Sequence, residues 1–370
     1  MLILRERVPL SGYTTLRLGG AAARFVEAGS AAEIAEAVGR IDAGADPLLV
    51  LGGGSNLVVA DDGFPGTVLR IAGTGVSVAE DGGRVLVTAA AGENWDRLVE
   101  WSVSEKLAGI ECLAGIPGLA GATPIQNVGA YGQEVAATIT AVMAYDRAAA
   151  SIVTLAGQEC AFGYRTSVFK RTPWPAPARP AGQPPGPTGR WVVLEVTLAL
   201  ERDPLSVPVR YAQLAAHLGV AAGERAPLDV VRAAVLDLRG SKGMVLDPAD
   251  PDTASAGSFF TNPVLSQDRM TDLGRVVAAR WPGVLVPSFP AGDGQVKVPA
   301  AWLIERAGFG KGYPGEGAAR ISSKHTLALT NAGGASTADL LGLARQIVAG
   351  VRSAFGVELA SEPTLVGAAL

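Results

Sequence analysis

LGGGSNLVV, at residues 51–59, decides how the first part of this chain folds. Three glycines follow an apolar stretch that is typical of a buried strand, so a tight turn is expected directly after it. Consecutive amides without side chains can turn inward and bind a phosphate. A second apolar stretch of β type follows Asn56, whereas the dinucleotide-binding fingerprint has a helix there. Two interpretations remain: a glycine-rich hairpin, or a phosphate-binding loop of another kind.

A second glycine-rich run, AGIPGLAGATPIQNVGAYGQEV at residues 114–135, has small residues and few charges. Solvated loops are rarely so apolar, so close backbone approach to a large, flat, buried ligand explains the run well. Thr123, Gln126 and Asn127 would then hydrogen-bond a heterocycle and a pyrophosphate. Glycine packing between strands is the alternative.

Two further segments place polar side chains in apolar surroundings. Arg165 lies in FGYRTSVFK, where an arginine must be paired or bind an anion, because a lone buried charge is very costly. Ser258 lies in GSFFTNP, where two phenylalanines would anchor it at the edge of a pocket. The chain has only two histidines, and neither is near Ser258 in sequence, which disfavours a hydrolase triad.

Composition limits the classes of function. The chain has 370 residues, is 48% hydrophobic and carries a formal net charge of −4. This length predicts two or three domains, and without a basic field nucleic acid is not an expected partner. No apolar run reaches the roughly 18 to 20 residues of a membrane helix. The first residues are too charged for a signal peptide, so we expect a cytoplasmic protein without a membrane partner.

The two cysteines, Cys112 and Cys160, match no zinc-binding spacing, and we expect free thiols in a reducing compartment and no metal site.

Helices are predicted where apolar residues recur every three or four positions. These segments are residues 30–44, the stretch from Trp95 to Ser102, 227–239, 299–309 and 337–355, the last with Thr337 as its cap. In the second segment, Trp95, Leu98, Val99 and Ser102 lie along one side of the predicted helix. Strands alternate with helices up to about residue 200, which indicates an α/β or α+β domain. Residues 172–190 contain seven prolines and predict an extended or disordered surface loop.

Five segments occur in a fixed order: LGGGSNLVV, IPGLAGATPIQNVGAYG, YRTSVFK, GSFFTNP and SEPTLVGA. Together they resemble the UDP-N-acetylenolpyruvoylglucosamine reductase family in its type I form, from about Tyr13 to Gly367. The resemblance implies an α+β protein whose FAD-binding region is of the p-cresol methylhydroxylase and vanillyl-alcohol oxidase type. It also implies non-covalent FAD, NADPH as co-substrate, and reduction of the enolpyruvyl group of UDP-N-acetylglucosamine enolpyruvate for peptidoglycan synthesis. The alternatives are an alcohol or sugar oxidase of the same fold, and a non-enzymatic protein that binds a nucleotide sugar or a partner.

The resemblance also implies a division into domains. The FAD-binding region would span residues 1–205, as two subdomains at about 1–72 and 73–205 that include the proline-rich loop. The substrate-binding domain would span 206–355, and a tail at 356–370 would return to the active site. We expect a monomer.

By the same resemblance, three catalytic residues are assigned. Ser258 would donate a proton to the substrate carbon, Arg165 would bind the carboxylate or enolate, and Glu362 would reach the flavin. All three would meet on one face of the flavin ring. The implied FAD-binding residues are Leu51, Gly52, Gly53, Gly54, Ser55, Asn56, Ile116, Pro117, Gly121, Ala122, Thr123, Ile125, Gln126, Asn127, Gly129 and Ala130. The implied substrate-binding residues are Tyr211, Lys242, Asn262 and His325, with Gln295 and Lys297 as support of the pocket floor.

Overall fold

The computed structural model describes residues 3–44, 46–174 and 186–370. Most of the predicted proline-rich loop, residues 175–185, lies outside the described residues. The chain forms two compact units. Unit 1 comprises Met1–Pro9, Ala21–Gly54 and Phe64–Val245, and unit 2 comprises Leu10–Gly20, Ser55–Gly63 and Leu246–Leu370.

The strands of the described residues are β1 (Leu4–Pro9), β2 (Ala21–Ala28), β3 (Leu48–Leu51), β4 (Leu57–Val59), β5 (Phe64–Ile71), β6 (Val76–Asp81), β7 (Arg84–Ala90), β8 (Leu107–Ala108), β9 (Gly129–Ala130), β10 (Gln133–Glu134), β11 (Ile139–Asp146), β12 (Ser151–Ala156), β13 (Trp191–Arg202), β14 (Ser255–Ser258), β15 (Val264–Leu265), β16 (Phe289–Pro290), β17 (Val296–Lys297), β18 (Ala319–Ile321), β19 (Ala328–Asn331) and β20 (Thr364–Val366). The helices are α1 (Ala31–Ala43), α2 (Trp95–Ser104), α3 (Val168–Arg171), α4 (Ala212–Leu218), α5 (Leu228–Gly240), α6 (Gln267–Arg280), α7 (Ala300–Arg306) and α8 (Thr337–Phe355).

The first sheet of unit 1 has the order β1-β2-β5-β3, and β3 is therefore an edge strand. Strands β2 and β3 run parallel to β5, while β1 runs antiparallel to β2. Helix α1 connects β2 to β3, as parallel strands require a crossover. Ser30 caps α1 by accepting a hydrogen bond from the Glu33 amide, as the capping pattern predicts.

The second sheet of unit 1 has the order β12-β11-β13-β7-β6, with β8 paired to the end of β13. Its strands are antiparallel. Helix α2 buries Trp95, Leu98, Val99 and Ser102, the same four residues that the helical spacing predicted on one face. The sequence therefore identified both the helix and the side that faces the core.

Helices α4 and α5 also belong to unit 1, because Leu214, Val231 and Val235 are buried in its core. The compact units consequently divide after Val245, whereas the resemblance implied a boundary after residue 205. Tyr211 and Lys242 therefore lie in the compact unit that holds the glycine-rich run at 114–135.

Unit 2 contains three small sheets, with the orders β14-β19-β18, β15-β17-β16 and β20-β4. Its core is formed largely by helices α6, α7 and α8 together with Phe259 and Phe260. Helix α8 has Ser336 rather than the predicted Thr337 as its cap, and Ser336 and Asp339 form a reciprocal capping box. Thr337 instead donates from its hydroxyl to the Val59 carbonyl at 2.6 Å.

Three helices were missed by the sequence analysis, and none has a strong apolar pattern. Helix α3 has only four residues. Helix α4 has only seven residues, and α6 buries only Leu273 and Val277 among its 14 residues. Among the described residues, no helix has the combined length and apolar character that crossing a bilayer would need.

Candidate functional site

The glycine-rich loop after β3 approaches the second glycine-rich run within unit 1. A Cβ atom added to Gly53 would lie 2.8 Å from the Cα atom of Gly118, closer than real contacts of this kind. Gly54 follows with φ +61°, a conformation that favours glycine. The two segments that were assigned to the flavin are therefore in backbone contact. Such a surface without side chains fits a flat cofactor with a pyrophosphate, and it supports the choice of a phosphate-binding loop over a simple hairpin.

The second glycine-rich run is itself tightly bonded to the protein. The amides of Ala120 and Gly121 donate to the carbonyls of Glu93 and Ala91 at 2.8 and 3.0 Å. A Cβ atom on Gly121 would meet the Cβ atom of Ala91 at 2.4 Å, so only glycine fits there. These hydrogen bonds and close contacts hold the backbone of this run against the segment from Ala91 to Glu93.

The buried side chains of this run bind protein atoms. Thr123 donates from its hydroxyl to the Ala120 carbonyl at 2.7 Å. The Asn127 side chain donates to Glu134 and to the Gly163 carbonyl at 2.8 and 3.2 Å, and it accepts from the Ala136 amide. These bonds shape the cradle, which is the backbone surface formed by residues 51–56 and 114–132. Direct contacts of Thr123 and Asn127 with FAD stay predictions.

Arg165 lies in a tight turn beside the same run. The turn is closed by reciprocal backbone hydrogen bonds between Gly163 and Thr166, and Arg165 has φ +52°. Its Nη2 atom donates to the Gly129 carbonyl at 3.1 Å, so the guanidinium is held next to the predicted flavin segment. Lys170 from the following helix α3 donates to Gln126 at 3.0 Å, which ties the turn to the run a second time.

Tyr211 and Lys242, both predicted to bind substrate, come together around Tyr131 in unit 1. The Tyr131 and Tyr211 rings meet edge to face with centroids 5.5 Å apart. The Lys242 Nζ atom lies 5.5 Å from the Tyr131 centroid and donates to Gln213 at 2.8 Å. Tyr211 remains 44% exposed, as suits a side chain that meets a ligand from solvent.

Two members of this cluster were not singled out from the sequence. Tyr131 lies inside the quoted glycine-rich run, and Arg239 lies near the end of α5, three residues before Lys242 in sequence. Burial raises the pKa of Tyr131 and lowers that of Arg239. The Arg239 Nη2 atom donates to the Met244 carbonyl at 2.8 Å. Helical spacing gave no signal for Arg239, because α5 ends at Gly240 and Lys242 lies beyond it.

In unit 2, Ser258 ends strand β14 beside a β-bulge. Ser255 pairs with Thr330 and Ser258 pairs with Ala328, so the register shifts between them. Gly257 has φ +70° within this bulge. Phe259 and Phe260 are each 1% exposed and anchor the strand in the core, as the sequence predicted. Bulges commonly redirect a side chain at a functional position, and this one sits next to Ser258.

The C-terminal tail lies beside the residues that follow this strand, and its implied return to the active site stays a prediction. Strand β20 pairs in parallel with β4, directly after the predicted FAD-binding residues Ser55 and Asn56. Ser361 forms an antiparallel bridge with Phe260, and the Glu362 amide donates to the Phe259 carbonyl at 2.8 Å. Ser258 and Glu362 thus belong to adjoining backbone segments of one compact unit. Arg165 belongs to unit 1, and its action together with these two stays a prediction.

Asn262 and His325 occupy the same unit as Ser258. The Asn262 Oδ1 atom accepts a hydrogen bond from the Ala300 amide at 2.9 Å, which satisfies one of the open amides at the start of α7. His325 lies in the turn before β19, where its carbonyl accepts from the Ala328 amide. Their contacts with substrate stay predictions.

The cysteines are buried free thiols. Burial raises the pKa of Cys112 above its usual range and that of Cys160 to about 11, so both stay protonated at neutral pH. Within the described ranges, no three His, Cys, Asp or Glu side chains gather as a metal site would require.

Two family models match this chain. One, described as an FAD binding domain, matches residues 22–156. The other, described as the C-terminal domain of UDP-N-acetylenolpyruvoylglucosamine reductase, matches residues 248–366. The matches and the observed mixture of helices and strands confirm the predicted α+β fold class with an FAD-binding region.

Similar proteins match over nearly their whole length. The UDP-N-acetylenolpyruvoylglucosamine reductase of Thermobifida fusca is 54% identical over 99% of this chain and 98% of that protein. The reductase of the same name from Streptomyces coelicolor is 55% identical over 98% of this chain and 90% of that protein. The crystal structure of the Thermus caldophilus reductase aligns with a TM-score of 0.63 and 25% identity, covering 99% of this chain and 100% of that one.

Proposed function

Because this chain belongs to the UDP-N-acetylenolpyruvoylglucosamine reductase family, we propose that it reduces UDP-N-acetylglucosamine enolpyruvate to UDP-N-acetylmuramate. The electron donor is NADPH, the cofactor is FAD, and the product serves peptidoglycan synthesis. The observation that carries this function is the 54% identity over 99% of the chain, which includes both the FAD-binding region and the C-terminal domain.

The oxidase alternative is not favoured. An alcohol or sugar oxidase would need the FAD-binding region but not the C-terminal domain of the reductase, which matches residues 248–366. It would also have no use for the segments that hold Ser258 and Glu362.

The residues that would hold FAD are the glycine loop at 51–56 and the run at 114–132. The close approach of Gly53 to Gly118 supports this assignment, because it leaves a backbone surface free of side chains. When bound, FAD supplies the methylene carbon of the enolpyruvyl group with the hydride that originates in NADPH, which leaves negative charge on the neighbouring carbon and its carboxylate.

Ser258 gives its hydroxyl proton to that neighbouring carbon. A serine hydroxyl is a poor acid in water, so it can donate only to a strongly basic carbon, and the alkoxide must be held by dipoles or reprotonated through water. The bulge at Gly257 and the two buried phenylalanines support this role, because they hold the residue rigidly. The hydride and this proton together reduce the C=C bond to a single bond. Ser258 must then regain the proton that it gave to the substrate.

Arg165 binds the carboxylate on which charge develops, since a guanidinium can donate two parallel hydrogen bonds to it. Its bond to the Gly129 carbonyl supports a fixed orientation at the flavin segment. Glu362, if protonated, donates a hydrogen bond to the same developing charge. Tyr211, Lys242, Asn262 and His325 are proposed to bind the nucleotide part of the substrate.

A redox experiment without oxygen tests the function. The purified protein should be yellow and release flavin on denaturation. NADPH should bleach it, and UDP-N-acetylglucosamine enolpyruvate should restore the colour. Rapid recovery with oxygen alone, and none with the nucleotide, would favour the oxidase. A colourless protein that FAD does not reconstitute would contradict both.

Gel filtration tests the expected monomer, and cell fractionation tests the cytoplasmic location.

A further inference from the structure

The described stem of the proline-rich loop, residues 186–190, contacts the strand that leads into the glycine loop. The Thr188 Oγ1 atom accepts a hydrogen bond from the Val50 amide at 2.7 Å. Val50 lies in β3, at the edge of the first sheet, with its other side paired to β5. An outward amide of an edge strand needs a partner, and the threonine hydroxyl supplies it.

The stem is itself held by a buried arginine. Arg147 is 3% exposed and donates from its Nη1 atom to the carbonyls of Thr188 and Gly189 at 2.9 and 3.0 Å. Its Nε atom donates to Asp42 at 2.9 Å, just before the end of helix α1. Thr188 is therefore connected to α1 on one side and to β3 on the other.

The stem also closes against the start of the loop. The Arg190 amide donates to the Thr172 carbonyl at 3.0 Å. A Cβ atom on Gly189 would lie 2.6 Å from the same carbonyl oxygen, so the two chain segments that form the stem are in contact at this point. This closure, with the Arg147 contacts, leaves little room for Thr188 to move.

We propose that Thr188 is a positioning residue for FAD binding, acting through Val50, and this inference rests on the proposed function. Val50 is three residues before Gly53, whose backbone meets Gly118 with no space for a side chain. Glycines cannot define the course of a loop by themselves, because they are conformationally permissive. The fixed amide of Val50 therefore sets where the glycine loop begins and whether Gly53 reaches Gly118.

The test compares Thr188→Val, which removes the acceptor at similar size, with Thr188→Ser, which keeps it. FAD is titrated into the flavin-free full-length protein, and its dissociation constant is measured by flavin fluorescence. We expect Thr188→Val to weaken FAD binding about tenfold or more, which is about 1.4 kcal/mol. The FAD dissociation constant of Thr188→Ser should stay within about twofold of that of the unchanged protein.

Two further measurements separate positioning from stability. Ser30→Ala removes the α1 cap and should lower the melting temperature while leaving FAD affinity unchanged. Hydrogen exchange of the peptide containing Val50 and the glycine loop should be faster in Thr188→Val than in the unchanged protein, with or without FAD.

Unchanged FAD affinity in Thr188→Val, or a loss that Thr188→Ser does not restore, would overturn the inference. If Thr188→Val does not fold, unaltered exchange of the glycine loop in a Thr188→Ala protein would overturn it as well. Failure of the unchanged protein to bind FAD would instead contradict the proposed function, so the two failures are distinguishable.

Discussion

The Glu362 amide donates a 2.8 Å hydrogen bond to the carbonyl of Phe259, the residue that follows Ser258. The two residues are far apart along the chain, and the tail reaches this segment through an isolated antiparallel bridge between Ser361 and Phe260. Both proposed catalytic residues of unit 2 are thereby carried on backbone that is anchored by Phe259 and Phe260 in the core. The bridge, the hydrogen bond from the Thr261 amide to the Ala360 carbonyl and the pairing of β20 with β4 together hold the tail in this place.

Ser258→Ala should separate the two half-reactions. Flavin reduction by NADPH should remain nearly unchanged, whereas reoxidation by the enolpyruvyl nucleotide should slow by about a hundredfold or more, because the proton donor is lost. Stopped-flow absorbance without oxygen measures both rates.

The matched control is Ser266→Ala, eight residues later, which removes the hydroxyl that caps α6. It should keep both rates. Equal slowing of the two half-reactions in Ser258→Ala would argue against proton donation by this serine.

Gly53→Ala should weaken FAD binding. The new Cβ atom would lie 2.8 Å from the Gly118 Cα atom, and relieving the clash must separate the two segments of the cradle. Overpacking of this kind costs about 1–3 kcal/mol, so a loss of about tenfold in FAD affinity is expected. Fluorescence titration of the flavin-free protein measures it.

Gly52→Ala is the matched comparison, because its Cβ atom would meet the Leu119 side chain at 3.6 Å, an ordinary contact. Its loss of affinity should be clearly smaller. If the two variants bind FAD equally well, close backbone approach at Gly53 is not what shapes the cradle.

Two substitutions at Asn262 should distinguish its structural role from its proposed binding role. Asn262→Asp keeps an oxygen for the Ala300 amide and places negative charge at a helix start, so stability should be retained. The same charge should raise the KM for the diphosphate substrate by repulsion. Asn262→Ala should lose both the hydrogen bond to the Ala300 amide and the proposed contact with substrate. Its free energy of unfolding should fall by about 1 kcal/mol.

Thermal unfolding and steady-state kinetics together measure these effects. A normal KM in Asn262→Asp would show that this side chain supports α7 but does not face the phosphates.

Stability should fall in acid partly because of Asp146. Two hydrogen bonds of 2.6 Å from Arg190 hold the pKa of this carboxyl below its usual value. A lowered carboxyl pKa contributes stability above the unfolded value, about 3.9, and that contribution is lost as the pH falls through the folded pKa. Unfolding in denaturant, followed from pH 7 to pH 3, measures the slope.

Asp146→Asn should lose about 1–2 kcal/mol at pH 7 and show a flatter decline below pH 4. Asp272→Asn is the control, because Asp272 pairs with Arg275 at the surface and should contribute little. An unchanged acid slope in Asp146→Asn would mean that this pair does not contribute to the pH dependence.

Helices with a strong apolar period could be predicted from sequence, and α2 is the clearest case, since all four buried residues were assigned to one face. Helix α6 was missed because only Leu273 and Val277 are buried, and most of its surface faces solvent. The predicted cap of α8 was wrong by one residue, because both Ser336 and Thr337 are good caps. Only the backbone geometry chooses between them.

The proposed site residues were assigned through their local motifs, whereas their structural neighbours could not be assigned in this way. Tyr131 was overlooked because nothing in its neighbours indicates that Tyr211 and Lys242 approach it. Likewise, the apolar period of α5 did not indicate that its face is buried in the core of unit 1. A helical pattern shows which face is buried, but it does not show which core receives that face.

Local order along the chain was enough to reveal the glycine-rich segments, the main helices and the identity of the family. Propensity and periodicity act between residues a few positions apart, so neighbouring letters record them. The contacts of Gly53 with Gly118, of Thr188 with Val50 and of Glu362 with Phe259 became visible only in three dimensions. Each depends on strand register and on loops closing over long separations, and those are properties of the whole packed unit.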